Sequence, residues 1–322
     1  MSAKIKQALC LIGVVFLVMV FCVGNAETVT GDLESRLNAG RIEYDGVSYR
    51  PKKRLTTILV MGIDRWDEEQ EESSLGRNGG QADFQLLVVF DENAKTVSSI
   101  HINRDMMAEM TVFNLLGEVT GTTTAQICLA YGYGDGAENS CEAAVECLSQ
   151  RLYGIPIDHY LSMRLDGISA LNDCLGGVEV TLTDDFTAYD PEMAVGTTIR
   201  LTGKQAEYYV RYRYGVGDGS NAARLLRQQN YMENAEEVLK AKLEESSSFV
   251  DTLFDAIDPY VTTDMNRGKL VNLAGLAQKY SVQPIAELEG ENIVGESGLY
   301  EFYPDEDALM RLILEIFYDP IS

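Results

Sequence analysis

The sequence predicts a layered α/β fold in one domain; one observation favours the fold class and a second favours the single domain. Strand and helix patterns alternate from residue 56 to residue 182, which is typical of helices packed on a sheet. No repeat and no low-complexity linker separates a second domain, and the hydrophobic content of 46% is ordinary for a globular chain of 322 residues. We therefore predict one domain over residues 45–322, joined by a connector at 27–44 to an N-terminal segment at 1–26.

An apolar run at residues 8–23 follows Lys4 and Lys6. As a helix this run is about 24 Å long, which is short of a hydrocarbon core of about 30 Å, but its uncharged flanks extend it enough to span. Lysines on its N-terminal side place the rest of the chain outside the cell membrane. We expect residues 1–26 to form a single-pass signal anchor; the alternative is a signal peptide cleaved after the small residues 24–26.

Three apolar segments near the start of the domain have strand character. They are residues 56–64, 83–91 and 96–105, and the turn at 92–95 predicts that the last two pair antiparallel. Residues 65–82 are acidic, rich in glycine and without period, so we expect a surface loop.

Helix signals follow in the middle of the chain. Residues 139–154 have their less polar positions at a 3.6-residue period, which predicts a helix. The next predicted elements are a strand at 157–164, a short helix from about Asp166 to Gly176, a strand at 178–182, a helix after Thr202, which has Gln205 at capping-box spacing, and a long helix from about 221 to 245. Residues 248–322 alternate helix and short strand patterns and end in an amphipathic helix.

The charge balance excludes one class of partner. The chain has 26 basic and 50 acidic residues, a formal net charge of -24. A nucleic acid is an unsuitable partner, because binding its backbone needs a broad basic face. An anionic substrate would be repelled at long range and must be held by a local basic site.

Arginines concentrate in one segment, residues 200–229, which holds six basic and two acidic residues. Arg224 and Arg227 lie on one face in the first two turns of a predicted helix, where the dipole favours anions. Arg211 and Arg213 share a side if the chain there is extended. Like charges 4 Å apart repel by about 4 kcal/mol at a dielectric near 20, so the segment favours an anion site. The alternative is a helix face with scattered surface charges.

Two aspartates lie at predicted strand ends. Asp64 closes one strand and Asp83 opens the next, and ligands bind at strand ends in α/β proteins. Two carboxylates could hold Mg²⁺ together with phosphate oxygens. The alternative is a turn cap and a solvated side chain. Arg104 and Asp105 end a third strand, and their simplest interpretation is a local ion pair.

Four cysteines follow the apolar run: Cys128, Cys141, Cys147 and Cys174. Outside the cell they could pair as disulfides, and buried free thiols are the equal alternative. Their spacing does not suggest zinc, and only His101 and His159 are available as histidine partners.

Seven stretches, taken in order, resemble the LytR-CpsA-Psr family of cell-wall glycopolymer transferases. They are "ILVMGID" (58–64), "ADFQLLVVFD" (82–91), "VSSIHINRDM" (97–106), "AQICLAYGYG" (125–134), "YGIPIDHYLSMRLDGISALNDCLGGVEV" (153–180), "LTGKQAEYYVRYR" (201–213) and "RLLRQQ" (224–229). The resemblance implies a membrane-anchored protein with its domain outside, in a Gram-positive-type cell wall. It also implies a three-layer α/β/α sandwich around a mixed central sheet, with an apolar pocket for a polyprenyl chain.

The family's activity, applied to this chain, is Mg²⁺-dependent phosphotransfer. An anionic glycopolymer, such as a teichoic acid or a capsular polysaccharide, moves from a polyprenyl-pyrophosphate carrier onto peptidoglycan. By resemblance, Asp64 and Asp83 hold the metal. The residues that match the pyrophosphate-binding set are Arg104, Arg211, Arg213, Arg224, Arg227 and the pocket glutamine Gln228.

In the mechanism that follows, a sugar hydroxyl attacks, and Mg²⁺ and arginines stabilise the charge as polyprenyl phosphate leaves. Asp105 is a candidate general base. The alternative is that Asp105 is only a structural partner of Arg104. The lipid would lie against apolar side chains, for which ordinary core is the alternative: Leu171, Leu175, Leu225 and Met232.

Two positions depart from the family pattern. Gln81 stands where the family usually has a phosphate-binding arginine, and Asn221 where it has an aspartate, for which Asp218 is a candidate substitute. Two rival functions therefore stay open. One is a hydrolase that uses water as the acceptor, and the other is a catalytically silent regulator or wall-binding module.

Overall fold

The structure is a computed structural model that describes residues 42–64, 80–114, 118–212, 215–219, 221–246, 248–277 and 279–321. The predicted anchor, residues 1–26, lies outside these ranges, as do Arg213 and most of the predicted loop at 65–82. None of the helices in these ranges combines the length and the apolar character needed to cross a membrane.

The strands are β1 (Ile42–Tyr44), β2 (Val47–Pro51), β3 (Leu55–Asp64), β4 (Gln81–Asp91), β5 (Thr96–Ile102), β6 (Met107–Phe113), β7 (Val119–Gln126), β8 (His159–Arg164), β9 (Glu179–Thr181), β10 (Thr198–Arg200), β11 (Val261–Thr263), β12 (Ser281–Glu287), β13 (Gly290–Val294), β14 (Tyr300–Pro304) and β15 (Tyr318–Ile321). The helices are α1 (Leu129–Gly132), α2 (Glu138–Arg151), α3 (Gly167–Leu175), α4 (Gly203–Arg211), α5 (Asn221–Glu245), α6 (Phe249–Ile257), α7 (Arg267–Ala277) and α8 (Glu306–Phe317), with a 3₁₀ turn at Asp258–Tyr260.

The described chain divides into two compact units. The sheet unit comprises residues 42–162, 262–266 and 279–321, and the helical unit comprises residues 163–261 and 267–277. The domain boundaries at 26 and 44 stay predictions, and the last residues of the predicted connector, 42–44, form β1.

The central sheet has the strand order β11-β8-β3-β4-β5-β12. β4 pairs antiparallel with both β3 and β5, and β12 pairs parallel with β5, so the sheet is mixed. The predicted hairpin of the second and third strands is therefore confirmed, and so is a mixed α/β fold.

One face of β3, β4 and β5 packs in the core of the sheet unit. Because strand side chains alternate between faces, Leu59, Leu87 and Ile100 meet on this face, where they are fully buried. Helices α2 and α8 contribute Leu148 and Ile313 to the same cluster. Burying each such side chain stabilises the fold by about 1.5–3 kcal/mol.

The helical unit has a separate core built from α3, α4 and α5. Local signals set its helix ends. Thr202 and Gln205 form the predicted capping box at the start of α4. After α3, Gly176 adopts φ 80°, the left-handed conformation that ends many helices. Of the four apolar residues predicted to contact the lipid, Leu171 and Leu175 are buried in this core and Met232 packs against it. The structure does not describe the side chain of Leu225.

Three expectations need correction or completion. Residues 81–82 begin β4 instead of ending a loop. The β6–β7 hairpin was not predicted, because β7 is mostly exposed and has no alternating apolar face. The four cysteines that follow the apolar run are free thiols, three of them buried, which resolves the alternative left open above.

Candidate functional site

The predicted acidic residues of the sheet unit meet at one edge of the central sheet. In register, Asp64 at the end of β3 lies opposite Gln81 at the start of β4. Ile102, the last residue of β5, lies opposite Gln85 of β4. Since the strands are antiparallel, Asp64, the first residues of β4 and the segment after Ile102 share this edge. The predicted residues Arg104 and Asp105 are in that segment.

A β-bulge sets the position of Asp83. Gly62 pairs with Phe84, whereas the next residue, Ile63, pairs with Ala82. Asp83 is therefore the extra residue of β4, with no opposite residue on β3. Bulges bend a strand locally and re-aim a side chain. Here the bulge presents the Asp83 carboxylate to Arg104.

Arg104 joins three side chains at this edge. Its Nη1 lies 2.6 Å from Asp83 Oδ1, its Nη2 donates to Gln81 Oε1 at 2.9 Å, and its Nε lies 3.4 Å from Asp105 Oδ1. About a third of the Arg104 side chain is exposed, 34%. The shorter distance makes Asp83 its main partner. Gln81 thus accepts a hydrogen bond from Arg104.

Asp105 is held from a second side by Gln126, which the sequence did not single out. The Gln126 side-chain amide donates to Asp105 Oδ1 at 2.8 Å and to the carbonyl oxygen of Tyr300 at 2.8 Å. Burial raises the pKa of the Asp105 carboxyl above its usual range, while Arg104 and Gln126 oppose that rise. A carboxylate with a raised pKa is a better proton acceptor once ionised.

The oxygen donors of this edge suit a hard cation. Asp64 and Asp83 supply carboxylates, and the fully buried Gln85 has a side-chain oxygen without a hydrogen-bond partner within the described residues. Such an orphaned buried oxygen needs a water or an ion. In the described ranges no group of three His, Cys, Asp or Glu residues could hold a metal alone. A cation here would keep waters or take phosphate oxygens, as Mg²⁺ usually does.

The predicted arginines of the helical unit surround the end of α4. Arg227, only 2% exposed, donates from Nε to the Tyr209 carbonyl at 3.0 Å and from Nη2 to the Tyr212 carbonyl at 2.6 Å. Its Nη1 lies 2.7 Å from Asp184 Oδ2. Gln228 donates to the Val210 carbonyl at 3.0 Å. Both side chains therefore satisfy carbonyls at the C-terminal end of α4, which the helix itself leaves unpaired.

Arg211 is the last residue of α4, so it is helical and not extended. Its Nη1 lies 2.5 Å from Oε1 of Glu207, one turn earlier, and 26% of its side chain is exposed. Arg224 lies in the first turn of α5, as predicted, and also makes contacts.

The ion pairs of Arg211 and Arg227 correct the argument that was based on the charges of residues 200–229. Arg211 pairs with Glu207, and Arg227 pairs with Asp184, which lies outside the segment in which charges were counted. The excess of basic residues at 200–229 therefore does not by itself require a bound anion. Asp184 was missed because 43 residues separate it from Arg227, and no local pattern links them.

The chain is similar in sequence to known proteins. The chain is 25% identical over 266 residues to biofilm regulatory protein A of Streptococcus mutans, covering 79% of this chain and 61% of the relative. It is 26% identical over 210 residues to the polyisoprenyl-teichoic acid–peptidoglycan teichoic acid transferase TagU of Halalkalibacterium halodurans, covering 65% of this chain and 60% of the relative. The chain thus spans about three fifths of the length of these two relatives.

A solved structure has the same fold. The crystal structure of Bacillus subtilis TagV superposes with a TM-score of 0.54 at 22% identity, covering 82% of this chain and 96% of that one. The LytR_cpsA_psr family matches residues 21–313, which include every predicted site residue. The chain belongs to the LytR_cpsA_psr family.

Proposed function

We propose that this protein transfers an anionic glycopolymer from a polyprenyl-pyrophosphate carrier onto peptidoglycan. Family membership supports the reaction class, and the TagU relative is named for the transfer of teichoic acid to peptidoglycan. The observation that carries the proposal is the sheet-edge cluster, in which Arg104 lies between Asp83 and Asp105. A guanidinium with adjacent carboxylates suits a phosphoryl group and its metal.

In the proposed reaction, a sugar hydroxyl of peptidoglycan attacks the phosphorus that carries the glycopolymer. A phosphodiester bond forms as the bond to the leaving polyprenyl phosphate breaks. Asp105 accepts the hydroxyl proton, with Gln126 fixing the direction of its carboxylate. Arg104 stabilises the charge that develops on the phosphoryl oxygens.

Asp64 and Asp83 would hold the metal. Mg²⁺, when bound, would neutralise charge on the phosphate oxygens and need not be held by protein ligands alone. Magnesium dependence is part of this proposal, and its support is the hard oxygen donors at the sheet edge.

The helical unit is assigned two roles. Arg211, Arg213 and Arg224 bind phosphate oxygens of the carrier, as the family resemblance implies. Arg227 and Gln228 match the same family set, but their hydrogen bonds support a different part in it. They fix the end of α4, and thereby the backbone that presents Arg211. We therefore assign both to positioning.

The proposal extends to the setting of the reaction. Residues 1–26 would anchor the protein in the cell membrane with the domain outside, and the fold would be a three-layer α/β/α sandwich with a lipid pocket. Capsular polysaccharide is a second candidate polymer beside teichoic acid.

The test is a transfer assay with full-length protein in detergent micelles, a radiolabelled carrier-linked glycopolymer and purified peptidoglycan. Arg104→Gln should lower the rate of transfer at least about 100-fold, since it removes a charge aimed at the transition state. Arg164→Gln is the matched control, because Arg164 is 32% exposed and also pairs with an aspartate, Asp166. An unchanged rate in Arg104→Gln would reject the site.

One observation favours a second candidate, a catalytically silent regulator. Gln81 replaces an arginine of the family pattern, and the Streptococcus mutans relative is named a regulatory protein. Product analysis separates the candidates. Polymer on peptidoglycan indicates transfer, free polymer phosphate indicates hydrolysis, and carrier binding without product indicates the silent module.

A further inference from the structure

Three partly buried tyrosines form a cluster at the surface of the helical unit: Tyr189, Tyr208 and Tyr212. We refer to them as the tyrosine cluster. Ring centroids are 4.7 Å apart for Tyr189 and Tyr212, 5.2 Å for Tyr208 and Tyr212, and 5.5 Å for Tyr189 and Tyr208. Each ring therefore contacts the other two, and all three keep some exposure to solvent.

Hydrogen bonds of neighbouring residues hold the tyrosine cluster in place. The Tyr212 carbonyl accepts from Arg227, which also binds Asp184 in the segment that leads to Tyr189. Gln205 of α4 donates to Asp190 Oδ2 at 2.9 Å, next to Tyr189. Two ties therefore connect α4 to the segment that carries Tyr189. Such a fixed surface loses little conformational entropy when a ligand binds.

Positive charge borders the rings. The Lys204 ammonium lies 5.5 Å from the centroid of the Tyr208 ring and 2.8 Å from Glu207 Oε2, and 60% of the Lys204 side chain is exposed. Glu207 also pairs with Arg211, so these two cations share one carboxylate and the three side chains together carry one net positive charge. Arg211 lies between Tyr208 and Tyr212 in the sequence, at the same end of α4. Within the described part of the chain, neither the Tyr208 nor the Tyr212 hydroxyl makes a hydrogen bond. The surface thus combines aromatic area, polar hydroxyls and cations.

This combination fits a sugar with an anionic substituent. A pyranose ring has an apolar face of C–H groups, which packs on aromatic rings, and hydroxyls that bond to phenol oxygens. The net positive charge left by Lys204, Arg211 and Glu207 attracts a phosphate or carboxylate carried by the sugar. An apolar protein partner would use the ring area only and would leave the phenol hydroxyls of Tyr208 and Tyr212 without a hydrogen bond.

We propose that the tyrosine cluster binds the sugar residues of the carrier-linked glycopolymer that lie next to the pyrophosphate. The inference rests on the proposed function, because it takes Arg211 as a pyrophosphate ligand. Tyr208 and Tyr212 flank that arginine, so the first sugars beyond the pyrophosphate would reach them. The cluster would then distinguish a sugar-bearing carrier from a bare one.

The experiment measures binding by full-length protein in detergent micelles, with three probes. They are polyprenyl pyrophosphate alone, polyprenyl pyrophosphate bearing an N-acetylhexosamine disaccharide, and a soluble peptidoglycan fragment. The variants are Tyr208→Ala and Tyr189→Ala, and Tyr208→Phe keeps the ring while it removes the hydroxyl. Tyr280→Ala is the control, because Tyr280 is a partly buried tyrosine of the sheet unit outside the cluster.

We expect both alanine variants to bind the sugar-bearing carrier at least about tenfold more weakly, with unchanged affinity for the bare carrier. Tyr208→Phe should lie between them and the wild type, and Tyr280→Ala should equal the wild type. Three outcomes overturn the inference: no loss, an equal loss on both carriers, or a loss on the peptidoglycan fragment alone. If the wild type binds neither carrier, the proposed function itself fails, and the inference with it.

Discussion

The amide of Gln126 holds the carboxylate of Asp105 through a 2.8 Å hydrogen bond. The same amide nitrogen also donates to the backbone carbonyl of Tyr300, so β7 and β14 both fix this carboxylate. Since Gln126 stabilises the ionised form, it opposes the rise in the pKa of Asp105 that burial causes.

Replacing Gln126 with leucine should therefore shift the pH dependence of transfer. Without the donor the pKa of Asp105 rises further, and Asp105 must be ionised to accept a proton. The acidic limb of the rate profile should move to higher pH, with a smaller change at alkaline pH. Gln150→Leu is the control, since Gln150 is an exposed glutamine that donates to Glu146. An acidic limb at its original pH would argue against Asp105 as the base.

Replacing Arg227 with methionine should destabilise the helical unit. The change leaves the Asp184 carboxylate and the carbonyls of Tyr209 and Tyr212 without their donor. Breaking a buried ion pair costs about 3–5 kcal/mol. Urea unfolding followed by circular dichroism measures the loss.

The control for Arg227 is an exposed ion pair. Lys240 lies 2.6 Å from Glu236 one helical turn away, and 41% of its side chain is exposed. Lys240→Met should change the free energy of unfolding by no more than about 0.5 kcal/mol. Equal effects of the two substitutions would show that Arg227 is not a structural tie.

Replacing Asp64 with asparagine should raise the Mg²⁺ concentration needed for half-maximal transfer. One of two proposed carboxylate ligands loses its charge, so we expect a shift of at least about tenfold. Asp319→Asn, at an aspartate whose side chain is 47% exposed, should leave the titration unchanged. Transfer that persists at full rate in excess chelator would exclude a magnesium role.

The cysteines of the domain should react in a fixed order. Burial raises the pKa of Cys128, Cys141 and Cys147 to about 12, whereas Cys174 is partly exposed. Maleimide labelling of native protein, read by peptide mass spectrometry, should modify Cys174 first and the other three only after unfolding. Recovery of any of the four as a disulfide would contradict the free-thiol assignment.

Local patterns were enough to predict much of this molecule. The apolar runs of β3 and β4, the turn before β5 and the capping box of Thr202 each depend on a few neighbouring residues. The position of Asp64 at the end of β3 follows from the same runs, whereas Asp83, predicted to open its strand, is the third residue of β4.

Features that depend on tertiary pairing were not predictable. The bulge at Asp83 requires the register with β3, and the Arg227 ion pair joins residues 43 positions apart. Gln126 ends a strand in which five of eight residues are exposed, so the strand has no alternating apolar face. Gln126 lies in the family-like stretch at 125–134, but its contact with Asp105 joins residues 21 positions apart and has no local pattern.

The extra residue in β4 also affects how related chains should be aligned. Because side chains alternate along a strand, residues three positions apart, such as Ala82 and Gln85, face opposite sides of a regular strand. The extra residue between them allows both to face inward. A homologue one residue shorter here would have a regular ladder in place of the bulge and would turn its aspartate away from the arginine. A single-residue gap at this point in an alignment would therefore mark a protein in which the proposed phosphate site is rebuilt, not a neutral deletion.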